Sequence, residues 1–340
     1  GYMSSYDTEI NIHYEAFYGT KIPFSKGLKI PEMFEASIEG KLKALWLMGE
    51  DVVQTDPNTN KVIAAMENLD LLVLQEIFLT ETAKYASVIL PGATFLEKSG
   101  TYTNAERRIQ RVQKVVEPLA GTKSDGEIIV GIMNKMGFAQ EAYEPANVLK
   151  EISQIVPFFA GVTWENLGAV GKQWPVKKDG TDTEILHTET FSNGKGKFHY
   201  FDYKQSNELA KNGKEYPYII TTNRELEHYN SGTMTRRTGN VDILTEDVLL
   251  INKADAERHF IQDGDMVCIE SPRGKVDVKA RITDQVKPGI LSTTFHFPEV
   301  MLNMITSDEH DSEALCPEYK VVAVNIRKSK GKYKNKLQAS

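Results

Sequence analysis

The 340-residue sequence predicts an α/β architecture in which a parallel-sheet domain precedes a compact β-barrel domain. Three observations carry this. Between residues 43 and 90, short runs that are apolar throughout alternate with helical patterns, as buried parallel strands do. From Tyr216 onward, strand patterns follow one another closely, with one short helix among them, which is the texture of a barrel. A polar stretch, Gln205 to Glu215, stands ahead of Tyr216-Pro217 and marks a boundary.

Taken in order, residues 1–40 are mixed and loop-rich, and end in a helical pattern at Pro31–Ala36 with proline at its start. Lys43 to Met48 reads as a buried strand ending in Gly49-Glu50-Asp51. Asn60 to Leu69 reads as a helix with Val62, Ile63, Ala65, Met66 and Leu69 inward. Leu71 to Leu74 is a second buried strand, Glu81 to Tyr85 a short helix, and Ser87 to Leu90 a third strand stopped by Pro91-Gly92. These strands are expected to be covered on both faces. A polar loop spans residues 97–111. Ser124 to Lys135 is an amphipathic helix, with Ser124 or Asp125 at its start and Gly137 at its stop. Residues 138–215 are less regular, with turns at Asp179–Asp182 and Ser192–Gly196. The barrel strands are placed at Tyr218–Thr221, Val248–Ile251, Met266–Ser271, Lys275–Ile282 and Gly289–His296, and the helix at Lys253–His259.

Composition excludes several classes. No run of about 18 apolar residues exists, so no membrane span is expected. The N-terminus has neither a basic nor an apolar signal-peptide region. A net charge of −7 argues against a nucleic-acid binder. The basic run from Arg327 to Lys336 reads as a solvated tail. The two cysteines, Cys268 and Cys316, are far apart and form no C-x-x-C, so they ligate neither a cluster nor a structural zinc on their own. Low cysteine use fits a reducing, cytoplasmic setting.

The residues that carry chemistry fall at strand ends and on loops. Ligands of an open parallel sheet sit at the carboxyl ends of its strands. Those ends carry Gly49, Glu50 and Asp51, then Gln75, Glu76, Phe78, Thr80, Glu81 and Thr82. Glycine admits close backbone approach, Gln75 or Glu76 can accept from ribose hydroxyls, and Thr80 or Thr82 can cap a helix that favours phosphate. Equally, the carboxylates can be solvated strand-end charges and Thr80 a simple cap. The G-x-G-x-x-G fingerprint is absent, so an ordinary NAD-binding dehydrogenase is disfavoured. Asp125 can pair with the N1–H and 2-amino edge of guanine, or can merely cap its helix. The arginines of Thr101–Gln110 can reach phosphate or form surface ion pairs.

The most ligand-like stretch is Thr221 to Arg237, which includes Thr222, Arg224, Glu225, His228, Asn230, Arg236 and Arg237. Its hydroxyls, amide, carboxylate, imidazole and guanidinium groups suit a large polar ligand with phosphates. Near the end, His296, Asn303, Tyr319 and Lys320 add aromatic and polar groups that can stack on and hydrogen-bond a heterocycle; His296 alone reads more readily as structural. No nucleophile elbow, Walker loop, H-E-x-x-H or zinc spacing occurs, so no catalytic or metal-ligating residue is assigned.

Several long segments in this order resemble the molybdopterin oxidoreductases of the dimethyl sulfoxide reductase family, and among them the later part of formate dehydrogenase alpha (catalytic) subunits. They are Leu45–Asp51 with Gln54–Pro57, Gln75–Ala83, Ala86–Pro91, Glu97–Gln110, Arg224–Tyr229, Gly232–Arg237 and Pro317–Lys320, and the likeness spans nearly all of residues 27–327. The resemblance implies a molybdenum or tungsten ion held by two molybdopterin guanine dinucleotides. It implies that Gly49, Glu50, Gln75, Glu76, Thr80 and Asp125 face one guanosine diphosphate part. Arg224, Glu225, His228, Asn230, Asn303, Tyr319 and Lys320 are implied to face pterin and phosphate groups.

The same likeness implies oxidation of formate to carbon dioxide, or the reverse, with two electrons passed to iron–sulfur electron-transfer subunits. It divides the chain into a remnant of a preceding domain (1–26), an α/β cofactor domain (27–150), a connecting segment (151–215), a barrel of the double-psi kind (216–327) and a basic tail (328–340). The family's cluster cysteines, metal ligand and active-site arginine precede the matched region. The chain is therefore expected to be part of a larger subunit, completed by the missing N-terminal part or a companion chain, and inactive alone. A nitrate reductase-like enzyme of the same family and a non-catalytic nucleotide-binding module are the alternatives.

Overall fold

A computed structural model describes residues 3–191 and 193–329; most of the basic tail lies outside the described residues. The chain forms two compact units that each draw on discontinuous stretches. The first gathers the chain up to Leu28, Gln75–Ile77 and Leu90–Phe201; the second gathers Lys29–Leu74, Phe78–Ile89 and the chain from Asp202 on. One division falls between Leu28 and Lys29, beside the expected border near 27, while the others fall at 74–78, 89–90 and 201–202. Residues 29–74 belong with the barrel because Met301 and Met304, from a barrel loop, complete their apolar core.

Strands β1 (Ala44–Met48), β2 (Leu71–Glu76) and β3 (Val88–Pro91) form a parallel three-stranded sheet in that order. Helices Ile30–Ile38 and Thr59–Glu67 contribute Phe34, Val62, Ala65 and Met66 to the core beside Val52, Val53 and Leu72. The expectation of a sheet covered on both faces is corrected here. Leu45 and Leu47 pack against this core, whereas Ala44, Trp46 and Met48 alternate outward and are exposed, as are Val88 and Ile89. β1 thus obeys the period-2 rule of a half-buried strand.

In the first unit, β4 (Gly100–Thr103), β5 (Arg108–Val112) and β6 (Lys172–Gln173) form a second, antiparallel sheet. The polar loop expected at 97–111 is therefore a hairpin. Asn104 makes its turn: its side-chain oxygen accepts from the backbone of Glu106 (3.1 Å) and Arg108 (2.9 Å). Arg107, with φ 69°, donates to the carbonyls of Trp174, Thr183 and Glu184. Arg108 pairs with Glu106. These two arginines are thus committed to the hairpin. Ile109, Leu149, Val162, Leu167 and Val176 form the unit's core with Trp164 and Trp174 alongside. Two helices not foreseen, Thr8–Tyr18 and Pro145–Ile155, belong to this unit; Asp7 caps the first and Gly19 ends it in the left-handed region.

The second unit contains a closed six-stranded barrel: β7 (Tyr218–Thr222), β8 (Val248–Ile251), β9 (Met266–Ser271), β10 (Gly274–Ile282), β11 (Ile290–Thr293) and β12 (Val322–Lys328), ordered β10-β8-β11-β7-β12-β9. The β9–β10 hairpin closes the ring, and β10–β8 and β11–β7 pair in parallel. Ile220, Leu249, Ile251, Val267, Ile269, Val278, Leu291 and Val324 fill the interior. Strand β12, absent from the sequence reading, supplies two of the ladders.

Side chains lock the segment after β1 to the barrel. Asn303 donates to the carbonyls of Gln54 (2.8 Å) and Thr55 (3.1 Å), Tyr319 donates to Thr55 (3.0 Å), and Gln54 donates to Ser231 (3.0 Å). Arg273 and Glu208 form a bidentate pair (2.6 and 3.1 Å) that ties the short helix Asn207–Asn212 to the barrel. Among the described residues, no helix is long and apolar enough to cross a membrane.

Candidate functional site

The strand-end residues divide between the two units: Gln75, Glu76 and Asp125 belong to the first, and Gly49, Glu50, Asp51, Phe78, Thr80 and Thr82 to the second.

In the first unit, Ser124 is the cap of helix Asp125–Lys135. Its hydroxyl accepts from Glu127 N–H (3.4 Å), and the Glu127 carboxylate accepts in return from Ser124 N–H (2.8 Å). The capping alternative for Asp125 is thereby removed, because the box is complete without it. The Asp125 carboxylate instead accepts from the Gln75 amide (2.8 Å) and from Lys98. Burial opposes its ionisation, yet Lys98 and Gln75 more than offset this and hold its carboxyl below the ordinary range.

Gln75 is fully buried, and its side-chain oxygen has no partner among the described residues. Such an atom costs free energy unless a ligand or water completes it. Lys98, Ser124, Asp125, Gly126 and Tyr143 line a cleft of about 230 Å³. A Cβ on Gly126 would lie 2.1 Å from the Tyr143 ring, so glycine is what lets that ring lie over the helix start. The Glu76 carboxylate accepts from the neighbouring Ile77 N–H (2.7 Å).

In the second unit, Gly49 turns the chain after β1 with φ 65° and open space beyond its Cα, and Glu50 is exposed. Asp51 and Thr82 were both expected as ligand contacts; the structure gives them to each other. Asp51 is buried and accepts from Thr82 N–H (2.9 Å), the Thr82 hydroxyl (2.7 Å) and Glu81 N–H (3.4 Å), while Thr82 accepts from Val53 N–H (3.1 Å). Burial still pushes the Asp51 carboxyl up. The pair clamps the two strand-end loops together. Thr80 differs, since its buried hydroxyl has no partner among the described residues. Phe78 lies under the Arg237 guanidinium, 4.3 Å from its ring centre.

The barrel loop after β7 is organised by two buried histidines. His296 donates through Nδ1 to Asn230 O (2.5 Å) and accepts through Nε2 from Glu225 N–H (3.1 Å). His228 donates through Nε2 to Leu244 O (2.9 Å), and its Nδ1 meets the Thr235 hydroxyl (3.0 Å). Both were expected as ligand contacts; both nitrogens of each ring are hydrogen-bonded within the chain, and the rings position the loop. Asn303 is likewise consumed, by Gln54, Thr55 and Thr306. The Tyr319 hydroxyl faces Thr55 O, and burial pushes its ionisation far up. Gly232, with φ 70°, has His296 O only 2.8 Å from where a Cβ would stand.

What the loop presents outward is Arg224, Glu225 and Asn230, all exposed. Arg224 lies over the Phe295 ring at 5.5 Å and has no carboxylate partner among the described residues. The Lys320 ammonium donates to the Thr222 carbonyl and lies near its hydroxyl (3.4 Å). Burial lowers its pKa, and the neighbouring charge of Arg224 lowers it further. Two cations held side by side without a carboxylate form a receptor for an anion.

Sequence reasoning missed Lys98, Tyr143 and Asp56. Lys98 and Asp56 stood inside segments already singled out, whereas Tyr143 lies in an irregular stretch that offers no signal. Asp56 has its carboxyl raised to about 6, chiefly by burial and also by Glu50, against the Thr55 hydroxyl. The native state therefore holds this proton more tightly than the unfolded chain does. Stability is expected to fall as pH rises from about 4 to about 6, by about 1–2 kcal/mol after allowance for partial exposure. Asp56→Asn should remove that slope and be the more stable form at neutral pH. Urea titrations across this range check it, and an unchanged slope would count against it.

Comparisons with known proteins agree with this organisation. The family model for molybdopterin oxidoreductases matches residues 9–135, and that for the molybdopterin dinucleotide-binding domain matches residues 218–323. The chain belongs to the molybdopterin oxidoreductase family. It is 39% identical over 322 residues to the F420-dependent formate dehydrogenase subunit alpha of Methanocaldococcus jannaschii, covering 93% of this chain and 47% of that protein. It is 40% identical over 308 residues to the alpha subunit of F420-dependent formate dehydrogenase 2 of Methanococcus maripaludis, covering 89% and 45%. Against the probable oxidoreductase YjgC of Bacillus subtilis it is 38% identical, covering 96% and 33%. The chain thus spans about half the length, or less, of these relatives. Acetylene hydratase from Pelobacter acetylenicus shares the fold with a TM-score of 0.68 at 19% identity, over 96% of this chain and 50% of that one.

Proposed function

We propose that this chain is the cofactor-binding portion of a formate dehydrogenase-like molybdopterin oxidoreductase. The observation that carries the reading is the Asp125 cluster: a carboxylate freed from capping, held ionised by Lys98 and Gln75, beside a cleft of base size and a buried amide oxygen with no partner among the described residues. The 39% identity to a formate dehydrogenase alpha subunit supports formate as the substrate.

The donor set fits bis-molybdopterin guanine dinucleotide. In the first unit Asp125 and Gln75 suit a guanine; in the second, taken by itself, Arg224 and Lys320 suit phosphate or pterin oxygens, and the buried Thr80 hydroxyl has no partner among the described residues. When bound, the cofactor's molybdenum or tungsten supplies the two-electron chemistry of formate and carbon dioxide. This chain's own residues orient and retain the cofactor. The metal ligand and the iron–sulfur clusters come from polypeptide beyond this chain, as Cys268 is buried in β9 and Cys316 stands by itself on an exposed loop. The resulting assembly works in the cytoplasm with iron–sulfur partner subunits, and the isolated chain has no turnover.

Calorimetric titration with guanosine and adenosine diphosphates tests the reading. A bidentate carboxylate–guanine pair discriminates by about 1–3 kcal/mol, so GDP is expected to bind about 10–100 times more tightly than ADP. Asp125→Asn should abolish that preference. Equal binding of the two nucleotides, or none by the folded chain, would overturn the proposal.

A further inference from the structure

We infer that Lys98 reads the O6 atom of guanine, so that Lys98 and Asp125 together form a preassembled complement to the base's whole Watson–Crick edge. The inference rests on the guanine reading above and goes beyond it by assigning the third hydrogen bond. Guanine presents one acceptor, O6, next to two donors, N1–H and the 2-amino group. A complementary receptor needs one donor beside a carboxylate, in that order along one edge. The cleft of the first unit holds this pair. Lys98 donates to Asp125 Oδ2, and Gln75 donates to Oδ1 at 2.8 Å.

Neither bond has to break when a base arrives. An ammonium has three donors, and a carboxylate has about four lone-pair sites, of which two are used. The pair is neither solvated nor sealed: the Lys98 side chain is 21% exposed and that of Asp125 40%. Both line the same cleft, with Tyr143 beside them and held over the helix start by the absence of a side chain at Gly126. The volume of about 230 Å³ is smaller than the 300–1,000 Å³ of clefts that enclose whole drug-sized ligands, and suits one heterocycle.

Adenine meets this edge badly. Its 6-amino group would point a donor at an ammonium, and its N1 would point a lone pair at a carboxylate. A polar site rejects such a mismatch more strongly than an apolar one rejects a change of shape, because its own groups are left unpaired.

Titration of the full chain with three nucleoside diphosphates separates the two contacts. Inosine diphosphate lacks the 2-amino group read by Asp125. The 6-thio analogue of GDP replaces O6 by a weaker acceptor and leaves N1–H and the 2-amino group in place. The unmodified chain is expected to prefer GDP to each analogue about tenfold. Lys98→Met should weaken GDP about tenfold and bind GDP and 6-thio-GDP equally, while keeping its preference for GDP over inosine diphosphate. Lys98→Gln, which restores a neutral donor, should recover part of the O6 preference. It also serves as the readout if the methionine variant does not fold. If Lys98→Met, or Lys98→Gln in its place, leaves the full ratio of GDP to 6-thio-GDP unchanged, Lys98 only steadies Asp125 and the inference is overturned while the guanine reading stands. If the unmodified chain does not distinguish GDP from inosine diphosphate, the guanine reading falls and this inference with it.

Discussion

Glu208→Ala is expected to lower the unfolding free energy by about 3–5 kcal/mol, among the largest losses any single substitution in this chain should produce. Glu208 is 1% exposed, and its carboxylate accepts from both Arg273 Nη atoms, from Ala323 N–H (3.2 Å) and from Asn212 Nδ2 (3.0 Å). Removal leaves the Arg273 guanidinium, 14% exposed, with only the Ile305 carbonyl as partner among the described residues, at 3.1 and 3.0 Å. A buried cation without its anion bears the desolvation cost unrelieved, whereas removing both charges lets apolar groups fill the space. Glu208→Leu combined with Arg273→Met should therefore recover much of the loss. Urea unfolding of the two variants decides the matter, and a loss below about 1 kcal/mol for Glu208→Ala would mean that the pair contributes no more than a surface one.

The second large effect concerns ligand retention and not folding. Arg224→Ala with Lys320→Ala is expected to leave the melting temperature within a degree or two and to reduce cofactor retention about 100-fold or more. Each side chain offers one charge-assisted bond to a phosphate or pterin oxygen, worth about 1.5–3 kcal/mol. Neither fills the barrel core: both residues are exposed, and Arg224 rests on the rim of Phe295. The measurement is the pterin released from chain purified out of a host that makes the dinucleotide cofactor, read as its fluorescent oxidation product. Unchanged pterin content would show that these cations serve the surface alone. For the unmodified protein, retention should also weaken with rising salt, as exposed charges are screened within about 10 Å at 0.1 M.

The parts of this architecture visible in the sequence are those where one physical cue dominates. Strands β8 and β9 emerge with their exact bounds because apolar runs end at polar turns. Helix Asp125–Lys135 emerges because a capping residue at Ser124 or Asp125 and a glycine stop frame its amphipathic pattern. Hairpin β4–β5 escaped because Gly100-Thr101-Tyr102-Thr103 is half-exposed and hydroxyl-rich, so no apolar alternation announces it. The covered-sheet expectation failed at Trp46 and Met48: an unbroken apolar run does not reveal whether both faces have partners. Among candidate ligand residues, Asp51, Thr82, His228, His296 and Asn303 were chosen for their chemistry. Whether such a group is free is decided by backbone N–H and carbonyl groups far away in sequence, as His228 meets Leu244 and Asn303 meets Gln54. Asp125, Arg224 and Lys320 were named as candidates on the same chemical grounds, and what fold-level geometry adds is Lys98 beside Asp125 and the nearness of Arg224 to Lys320.

The ring order of the barrel bears on how the molecule is made. Among the described residues strand β7 pairs only with β11 and β12, so this strand has no ladder until the chain has grown past Ile290, and its second neighbour comes only after Val322. Strands β9 and β10, by contrast, can zip as a hairpin within the same short stretch. Closure thus waits for β12, imposed by long-range contacts that cannot form early. A nascent chain stalled before Val322 carries a barrel open at β7 and β9, with unpaired edges of the kind that recruit chaperones or other strands.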